Sequence, residues 1–419
     1  MKFIHAADLH LDSPLVGLER YEGAPVEAVR QASRRALENL VRFATDEAVD
    51  FVLLAGDIYD GDWDDYRTGL FFVRQLSALK QADIKVFLVS GNHDAQSKIT
   101  RELPLPDNTV VFSAKKAETH RIEKLSVAIH GQSYSTQAIT DDLSKGYPSP
   151  VTGFFNIGLL HTCANGREGH ESYAPCSVND LASHGYDYWA LGHAHCYETL
   201  SDSPRIVFPG SIQGRHINEP GEKGCCLVEV EDGHIAGLQF QELNVLQWER
   251  CEVDAQGLET PDQVIARTME QVDGKLKQVS AACLALRVTV KGACHAHLGL
   301  QRDQERWINE IRARAIDLGV DRIWIEKVEI RTRAELDLEA IAQQEGPLPD
   351  LLRFIRSIQN DEDIQAKLAS SFADLKDRMP TGIDLESEET SIGDAAAIKN
   401  LLPDVEQLLV SQLTEEEQP

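Results

Sequence analysis

The sequence predicts a layered α/β fold, because strand and helix patterns alternate over its first 245 residues. Short apolar runs, which are typical of buried strands, recur between segments with apolar residues at three-to-four spacing. Strand-helix-strand order of this kind forms sheets covered by helices. At about 150 residues per domain, a chain of 419 residues has room for two or three domains. We therefore expect an α/β domain over 1–245, a small α/β domain over 246–333 and a helical tail over 334–419.

The first domain contains seven short apolar runs that predict strands. They are Phe3–Ala7, Phe51–Ala55, Val86–Val89, Val127–Ile129, Phe155–Leu160, Tyr188–Leu191 and Ile206–Phe208. Amphipathic spacing predicts helices at Pro25–Val49 and Tyr66–Lys80. The domain closes with a predicted hairpin, in which strands Cys225–Val230 and Ile235–Gln241 flank an Asp-Gly turn.

The second domain shows a β-α-β-α-β pattern. In chain order, its predicted elements are Arg250–Val253, Pro261–Lys277, Leu284–Val290, Asp303–Leu318 and Arg322–Ile330. Strand patterns end near Ala334, and beyond it Leu351–Ile358 and Ala396–Leu413 carry helical apolar spacing among acidic runs. These last segments are interpreted either as a solvated helical tail or as helices that bind a partner through their apolar stripe.

Composition excludes several classes of function. There are 68 acidic residues against 41 Lys and Arg, and the resulting net charge of −27 excludes a general electrostatic binder of nucleic acid. No apolar run approaches the ~20 residues of a membrane span. Because the sequence lacks a Walker A motif, an ATP-driven step would need a separate protein. The eight cysteines form no CxxC pair, which, with an early polar amino terminus, predicts a cytoplasmic protein with reduced thiols.

The residues that carry chemistry follow the ends of the predicted strands. Five strand ends supply carboxylate, imidazole and amide groups, in the patterns Asp8-x-His10, Gly56-Asp57-x-x-Asp60, Gly91-Asn92-His93-Asp94, His161 and Gly192-His193-x-His195. Because ligand sites in α/β sheets form at the carboxyl ends of strands, we expect these side chains to converge. Mixed oxygen and nitrogen ligands suit Mn²⁺, Fe²⁺ or Zn²⁺. Two such ions can hold the attacking and leaving oxygens of a reaction at phosphorus, so the pattern predicts a two-metal phosphoester site.

These five motifs, in this order over residues 8–195, resemble those of the calcineurin-like metallophosphoesterases. The resemblance implies a β-sandwich flanked by helices and two divalent ions, with Mn²⁺ the expected metal. The ligands that it implies are Asp8, His10, Asp57 and His195 for one ion, and Asp57, Asn92, His161 and His193 for the other. It also implies that His93 faces the scissile phosphate, where it would stabilise charge or protonate the leaving oxygen.

The extensions beyond this domain narrow the resemblance. A phosphoesterase domain of this length, with a small α/β cap and a helical tail, is similar to the SbcD-type nuclease subunits of DNA double-strand-break repair. Residues 8–14 and 209–224 resemble the YhaO-like branch of that group. The resemblance implies a DNA substrate, a homodimer and an SMC-like, SbcC-type ATPase that binds the C-terminal helices.

One position departs from the nuclease pattern. SbcD-type nucleases usually carry a histidine three residues after the bridging aspartate, whereas this chain has Asp60 there. The phosphatase branch has an aspartate at that place, so Asp60 is expected to hydrogen-bond His93 and orient it. Phosphodiester hydrolysis remains expected, and exonuclease behaviour stays open. Two rivals also stay open: a phosphodiesterase or phosphatase for a small molecule such as a cyclic nucleotide, and a catalytically weak scaffold for an SMC-like ATPase.

Other polar residues near the motifs have simpler interpretations. Tyr134 either contacts the substrate or is a hydrogen-bonded core residue. Arg215, with Lys223 nearby, either contacts phosphate or forms a loop-stabilising ion pair with Glu219 or Glu222. His295 and His297 are interpreted as surface residues, and Cys163 and Cys196 as packing residues, rather than as metal ligands.

Overall fold

The structure is a computed structural model that divides into two units. It describes residues 1–13, 29–60, 66–96, 103–164, 174–319, 321–335, 342–343, 345–359, 361–377, 399, 401–403, 405–406 and 409. The first unit comprises 1–251, 273–287 and 315–327, and the second comprises 252–272, 288–314 and 328–419. The candidate site belongs to the first unit.

The strands and helices follow in chain order. The strands are β1 (Lys2–Ala6), β2 (Phe51–Ala55), β3 (Lys85–Val89), β4 (Thr109–Val111), β5 (Glu118–Ile122), β6 (Val127–Gly131), β7 (Phe155–His161), β8 (Tyr188–Gly192), β9 (Tyr197–Asp202), β10 (Arg205–Pro209), β11 (Gly224–Glu231), β12 (His234–Glu242), β13 (Leu246–Asp254), β14 (Cys283–Cys294) and β15 (Ile323–Ala334). The helices are α1 (Ala32–Asp46), α2 (Arg67–Gln81), α3 (Val178–Ser183), α4 (Pro261–Gln278), α5 (His297–Arg302), α6 (Gln304–Leu318), α7 (Pro347–Gln359) and α8 (Glu362–Asp377).

The first unit is built around two mixed sheets. The first has the order β12-β11-β1-β2-β3-β4, in which β1 to β4 are parallel and β11 is antiparallel to both β1 and β12. The second has the order β5-β6-β7-β8-β10-β9, with a parallel centre and an antiparallel strand at each edge. Neighbouring parallel strands have their carboxyl ends at the same edge of a sheet. The predicted motifs therefore lie at the carboxyl edges of the two sheets.

An apolar core lies between the two sheets. Successive side chains of a strand point to opposite faces, so Phe51 and Leu53 of β2 join the core between the sheets, while Val52 and Leu54 pack among the residues of α1 and α2. Burial on both faces explains why the run is continuously apolar. The helix α3 packs on the outer face of the second sheet, where Leu181 belongs to a separate apolar cluster. The predicted α/β sandwich flanked by helices is confirmed.

Beyond β12, the described residues form a smaller sheet and the helices α4 to α8. The smaller sheet has the order β13-β14-β15. Ile355 and Ile358 of α7 form an apolar cluster with Leu402. The predicted helices Pro25–Val49 and Ala396–Leu413 lie partly outside the described residues. Within the described part of the first, the helix α1 spans Ala32–Asp46. Among the helices that the structure describes, none is both long and apolar enough to cross a membrane.

Candidate metal centre

Turns with left-handed backbone place the side chains at the carboxyl edge of the sheets. Asp8, His10, Asp57 and His193 have φ angles of 51°, 41°, 50° and 109°. Positive φ is uncommon for residues other than glycine, and such conformations concentrate at functional sites. The backbone N–H groups of Asp8 and His10 donate to the carbonyls of Gly56 and Asp57, at 3.1 and 3.0 Å. These hydrogen bonds join the turn after β1 to the turn after β2.

Two glycines in the motifs allow the strand ends to approach closely. A Cβ atom on Gly91 would lie 2.2 Å from Oδ1 of Asp57, and one on Gly192 would lie 1.7 Å from the carbonyl oxygen of Ala55. Real Cβ atoms do not come this close to other heavy atoms. The glycines that begin the third and fifth motifs are therefore required by the packing of the site.

One group of candidate ligands consists of Asp8, His10 and His195, whose ligand atoms lie within 4.8 Å of one another. The Nε2 atoms of the two histidines are 3.2 Å apart. Nδ1 of His195 lies 2.8 Å from Oε1 of Glu219. Burial opposes ionisation of Glu219, but hydrogen bonds from His195 and Arg215 hold its pKa well below the usual range. Since a carboxylate only accepts, His195 donates through Nδ1 and leaves the lone pair of Nε2 for a cation.

The second group is built on His161, which is fully buried. Its Nδ1 lies 2.9 Å from the carbonyl of Ala55 and therefore carries the proton. Burial lowers the pKa of His161 to about 3, so the ring is neutral and Nε2 presents a lone pair. That atom faces Oδ1 of Asn92 at 2.9 Å and Oδ2 of Asp57 at 3.4 Å. A nitrogen lone pair beside a carboxylate oxygen and an amide oxygen suits a bound cation, so these residues fit a divalent ion.

Asp57 lies between the two groups. Its Oδ2 atom is 3.4 Å from Nε2 of His161 and 3.9 Å from Nε2 of His10. Its other oxygen accepts the backbone N–H of His93 at 3.0 Å. The backbone N–H of His193 donates to the Asp8 carboxylate at 2.9 Å, and the ring of His193 packs edge-on against His161. All seven predicted ligands thus lie in one cluster, with Asp57 where a bridging ligand would be needed.

The two predicted catalytic residues form a hydrogen-bonded pair beside this cluster. Nδ1 of His93 lies 2.8 Å from Oδ1 of Asp60, and the His93 side chain is 35% exposed. The hydroxyl of Ser13 also donates to Asp60. Burial opposes ionisation of Asp60, but the His10 imidazole 3.6 Å away and the hydrogen bond from His93 hold its pKa far below the usual range. The hydrogen bond between His93 and Asp60 is also the main cause of the raised pKa of His93. The pair can therefore hold a proton on a partly exposed imidazole.

The loop after β10 surrounds His195. Arg215 forms an ion pair with Glu219, in which Nη2 and Oε1 are 2.8 Å apart, so of its two interpretations the ion pair is present. Nζ of the buried Lys223 donates to the backbone carbonyl of His195 at 2.9 Å. The contact between Glu219 and His195 was not predicted. It joins residues 24 positions apart across a loop, and no motif spacing indicates such a contact.

The other interpreted residues lie apart from the predicted ligands or pack behind them. The ring of Tyr134 packs edge-on against His161, and its buried hydroxyl has no hydrogen-bond partner among the described residues. Cys163 is buried as predicted. The prediction that Cys196 packs in the core is wrong, because this residue is exposed where the chain enters the edge strand β9. In the second unit the two remaining histidines are an exposed His295 and a partly buried His297.

Comparison with known families agrees with this geometry. Residues 1–197 match the calcineurin-like phosphoesterases. The amino-terminal part of the chain is therefore similar to a calcineurin-like phosphoesterase domain, and groups of its described side chains could hold a metal ion. Residues 248–333 match the middle domain of the metallophosphoesterase YhaO. Together the two matches confirm the predicted resemblance to the YhaO-like branch.

Individual relatives extend the comparison. The chain is 36% identical over 258 residues to the uncharacterized metallophosphoesterase YhaO of Bacillus subtilis, a match that covers 61% of this chain and 63% of that protein, just under two thirds of its length. It is 24% identical over 385 residues to the DNA double-strand break repair protein Mre11 of Methanopyrus kandleri, covering 85% of this chain and 76% of that protein. The protein of the same name from Sulfolobus acidocaldarius is 22% identical over 303 residues, covering 67% and 73%.

Proposed function

We propose that this chain is a two-metal-dependent phosphodiesterase that hydrolyses DNA phosphodiester bonds, as the nuclease subunit of a DNA repair complex. The observation that supports this function most directly is the arrangement of the candidate ligands, in which two groups of carboxylate and imidazole side chains lie on either side of Asp57. The proposed ligands are Asp8, His10, Asp57 and His195 for one ion, and Asp57, Asn92, His161 and His193 for the other. Mn²⁺ is the proposed metal because the donors mix carboxylate, imidazole and amide oxygen. Bound ions of this kind lower the pKa of water and stabilise charge on phosphorus oxygens.

His93 and Asp60 are the proposed catalytic pair. A general acid must hold a proton near neutral pH and lie within reach of the leaving oxygen. The raised pKa of His93 supports the first condition, and its partial exposure beside the ligand cluster leaves the ring accessible to a substrate bound there. Asp60 orients the ring through the 2.8 Å hydrogen bond at Nδ1.

A DNA substrate is supported by the relatives named for DNA double-strand break repair. Since the sequence carries no Walker A motif, we propose that an SMC-like, SbcC-type ATPase binds the C-terminal helices. Phe354, Leu401 and Val405 there are 58%, 42% and 41% exposed, which leaves apolar area for such a partner. We further propose a homodimer, by resemblance alone, and a cytoplasmic location, on the cysteine pattern.

A second candidate is a phosphodiesterase or phosphatase for a small molecule such as a cyclic nucleotide. The observation that favours it is the hydrogen bond between Asp60 and His93, since the resembling nucleases carry a histidine at the place of Asp60. The net charge of −27 also disfavours binding of a long polyanion to the protein surface beyond the metal site.

The test compares the wild-type chain with His93→Asn on end-labelled duplex DNA, single-stranded DNA and a chromogenic phosphodiester, with Mn²⁺ and with chelator. We expect Mn²⁺-dependent DNA cleavage in the wild type and a loss of about 10²- to 10⁴-fold in the variant, since general acid catalysis contributes that much. Both variant and wild type should retain two Mn²⁺ ions, because His93 is not a proposed ligand. His234→Asn, at an exposed histidine of β12, is the matched control with unchanged activity.

Each other outcome changes the proposal in a defined way. Cleavage of the chromogenic ester while DNA stays intact would favour the second candidate. Two bound ions with no hydrolysis of any substrate would favour the other rival, a catalytically weak scaffold for an SMC-like ATPase. Loss of metal from the His93→Asn protein would show that His93 is a ligand and would overturn its assignment as the general acid.

A further inference from the structure

The loop after β10 contacts His195 at three points. Nδ1 of the imidazole donates to Oε1 of Glu219 at 2.8 Å, and Nη2 of Arg215 lies 3.3 Å from the same nitrogen without a hydrogen bond, since both atoms are donors. Nζ of Lys223 donates to the backbone carbonyl of His195 at 2.9 Å. Glu219 and Lys223 are buried, with 6% and 3% of their surface exposed. Buried charges are costly unless they are paired. The charged groups of this loop must therefore keep their partners, unlike those of an exposed ion pair.

Arg215 connects the metal ligand to the catalytic pair. Its Nη2 lies 2.8 Å from Oε1 of Glu219, and its Nη1 lies 3.4 Å from Oδ2 of Asp60. The other oxygen of Asp60 binds Nδ1 of His93. One guanidinium, with 18% of its side chain exposed, therefore holds the carboxylate behind His195 and the carboxylate behind His93 at the same time.

We propose that Glu219 and Arg215 are positioning residues that fix the His195 metal position and the orientation of His93 through a single ion-pair network. The inference rests on the proposed function, in which His195 is a metal ligand. Under this proposal Arg215 does not bind phosphate, because two carboxylates already accept hydrogen bonds from its guanidinium. The fork of Arg215 matches carboxylate oxygens, which a lysine would contact only as a point charge.

Loss of the network has distinct consequences at the two residues. Without a carboxylate at position 219, the His195 ring loses the acceptor that fixes its tautomer and rotation. Partners of this kind behind metal ligands typically contribute about 10- to 100-fold in metal affinity. Without the Arg215 fork, Asp60 loses one of the contacts that hold it beside His93, so turnover should fall more than substrate affinity.

Metal binding alone tests the first consequence. The metal-free full-length chain is titrated with Mn²⁺ and followed by electron paramagnetic resonance, with bound metal counted by mass spectrometry. We expect two ions in the wild type, with the signal of a magnetically coupled pair. Glu219→Gln should bind one ion as before and the other about 10- to 100-fold more weakly, with the signal of an isolated ion at intermediate Mn²⁺. Glu219→Asp, which keeps the charge on a shorter arm, should lie between them and serves if the amide variant does not fold.

The matched control removes a similar ion pair elsewhere in the same unit. Glu326 is buried and accepts two hydrogen bonds from Arg287, at 2.8 and 2.7 Å, so Glu326→Gln loses a comparable contact outside the site. It should bind two Mn²⁺ ions like the wild type. If Glu219→Gln also does so with unchanged affinity, the inference is wrong while the proposed function stands. If the wild type itself fails to bind two ions, the proposed function fails instead.

Steady-state kinetics test Arg215 on the phosphodiester that the wild type cleaves. For a positioning residue, Arg215→Gln should lower kcat with little change in KM, and Arg215→Lys should recover only part of the loss. An interaction made equally in ground and transition states raises KM alone when it is removed. A raised KM with unchanged kcat in Arg215→Gln would therefore identify a phosphate-binding arginine and overturn the assignment.

Discussion

A histidine buried between the sheets should make the stability of this protein depend on pH. The ring nitrogens of His5 lie 2.9 Å from the hydroxyl of Tyr188 and 3.0 Å from the carbonyl of Leu191. Burial lowers the pKa of His5 to about 3, from the ordinary 6.5. Between these values the unfolded chain binds a proton that the folded chain does not. The stabilisation is complete above pH 6.5 and is lost as the pH falls, by about 1.4 kcal/mol per pH unit.

Urea denaturation at pH 7, 6 and 5 measures this effect. The free energy of unfolding of His5→Gln should decrease less steeply below pH 6.5 than that of the wild type. Other buried histidines contribute equally to both proteins, so the difference in slope isolates His5. His234→Gln, at an exposed position, should keep the wild-type slope. Equal slopes for the His5 variant and the wild type would show that this ring is not the titrating group.

At the residue scale, what the sequence predicts depends on how local the signal is. The ligand candidates are predictable because each follows its own strand, and strand ends meet at one edge whatever the loops do. Their roles as ligands and catalysts remain predictions. The contacts that Ser13 makes with Asp60 and Glu219 makes with His195 are not predictable in this way. They depend on the path of loops through space, and a single sequence contains no signal for such paths.

At the element scale, the central strands were predictable and several edge strands were not. Phe51–Ala55 is buried on both faces and is continuously apolar, so its predicted and observed bounds coincide. The strands β4, β5 and β9 were missed. They have mixed composition because they lie at sheet edges, where at least one face is partly exposed. These edge strands complete the sheets, whereas the site is built on the central strands that could be predicted.

The close approach of two strand ends yields a prediction at this scale. Gly192→Ala places a Cβ atom 1.7 Å from the carbonyl of Ala55, which also accepts the Nδ1 proton of His161. Either strand end must move, so we expect the free energy of unfolding to fall by about 1–3 kcal/mol, as for other overpacked sites. Affinity for Mn²⁺ should fall as well, because His161 moves with its acceptor.

Gly237→Ala is the matched control for this substitution. It also adds a methyl group to a glycine of a strand, but the nearest heavy atom, Oε2 of Glu229, would be 3.8 Å away. Urea denaturation and Mn²⁺ titration of both variants should separate them clearly from one another. A Gly192→Ala protein as stable and as tightly metal-binding as the control would contradict the packing argument.

At the scale of the whole molecule, the metal-free fold carries unfavourable buried charge in the site. Burial raises the pKa of Asp57 to about 6 and that of Asp94 to about 7, and it raises the pKa of Asp8 as well. Neighbouring carboxylates raise these pKa values further, in a chain whose net charge is already −27. Divalent cations at the proposed positions would offset this charge, so folding and metal binding should be linked.

Thermal denaturation with Mn²⁺ and with chelator measures that linkage. A ligand that binds only the folded state stabilises it by about 2.7 kcal/mol at a concentration of 100 times Kd. For a domain of this size we expect Tm to rise by roughly 5–10 °C for each ion bound at that level. Asp57→Asn should lose most of the shift, because Asp57 is the proposed ligand of both ions. Asp202→Asn, in an exposed ion pair with Arg205, should keep it. An unchanged Tm in the wild type, or an equal shift in Asp57→Asn, would contradict a shared two-metal site, since only a bridging carboxylate makes both ions depend on one residue.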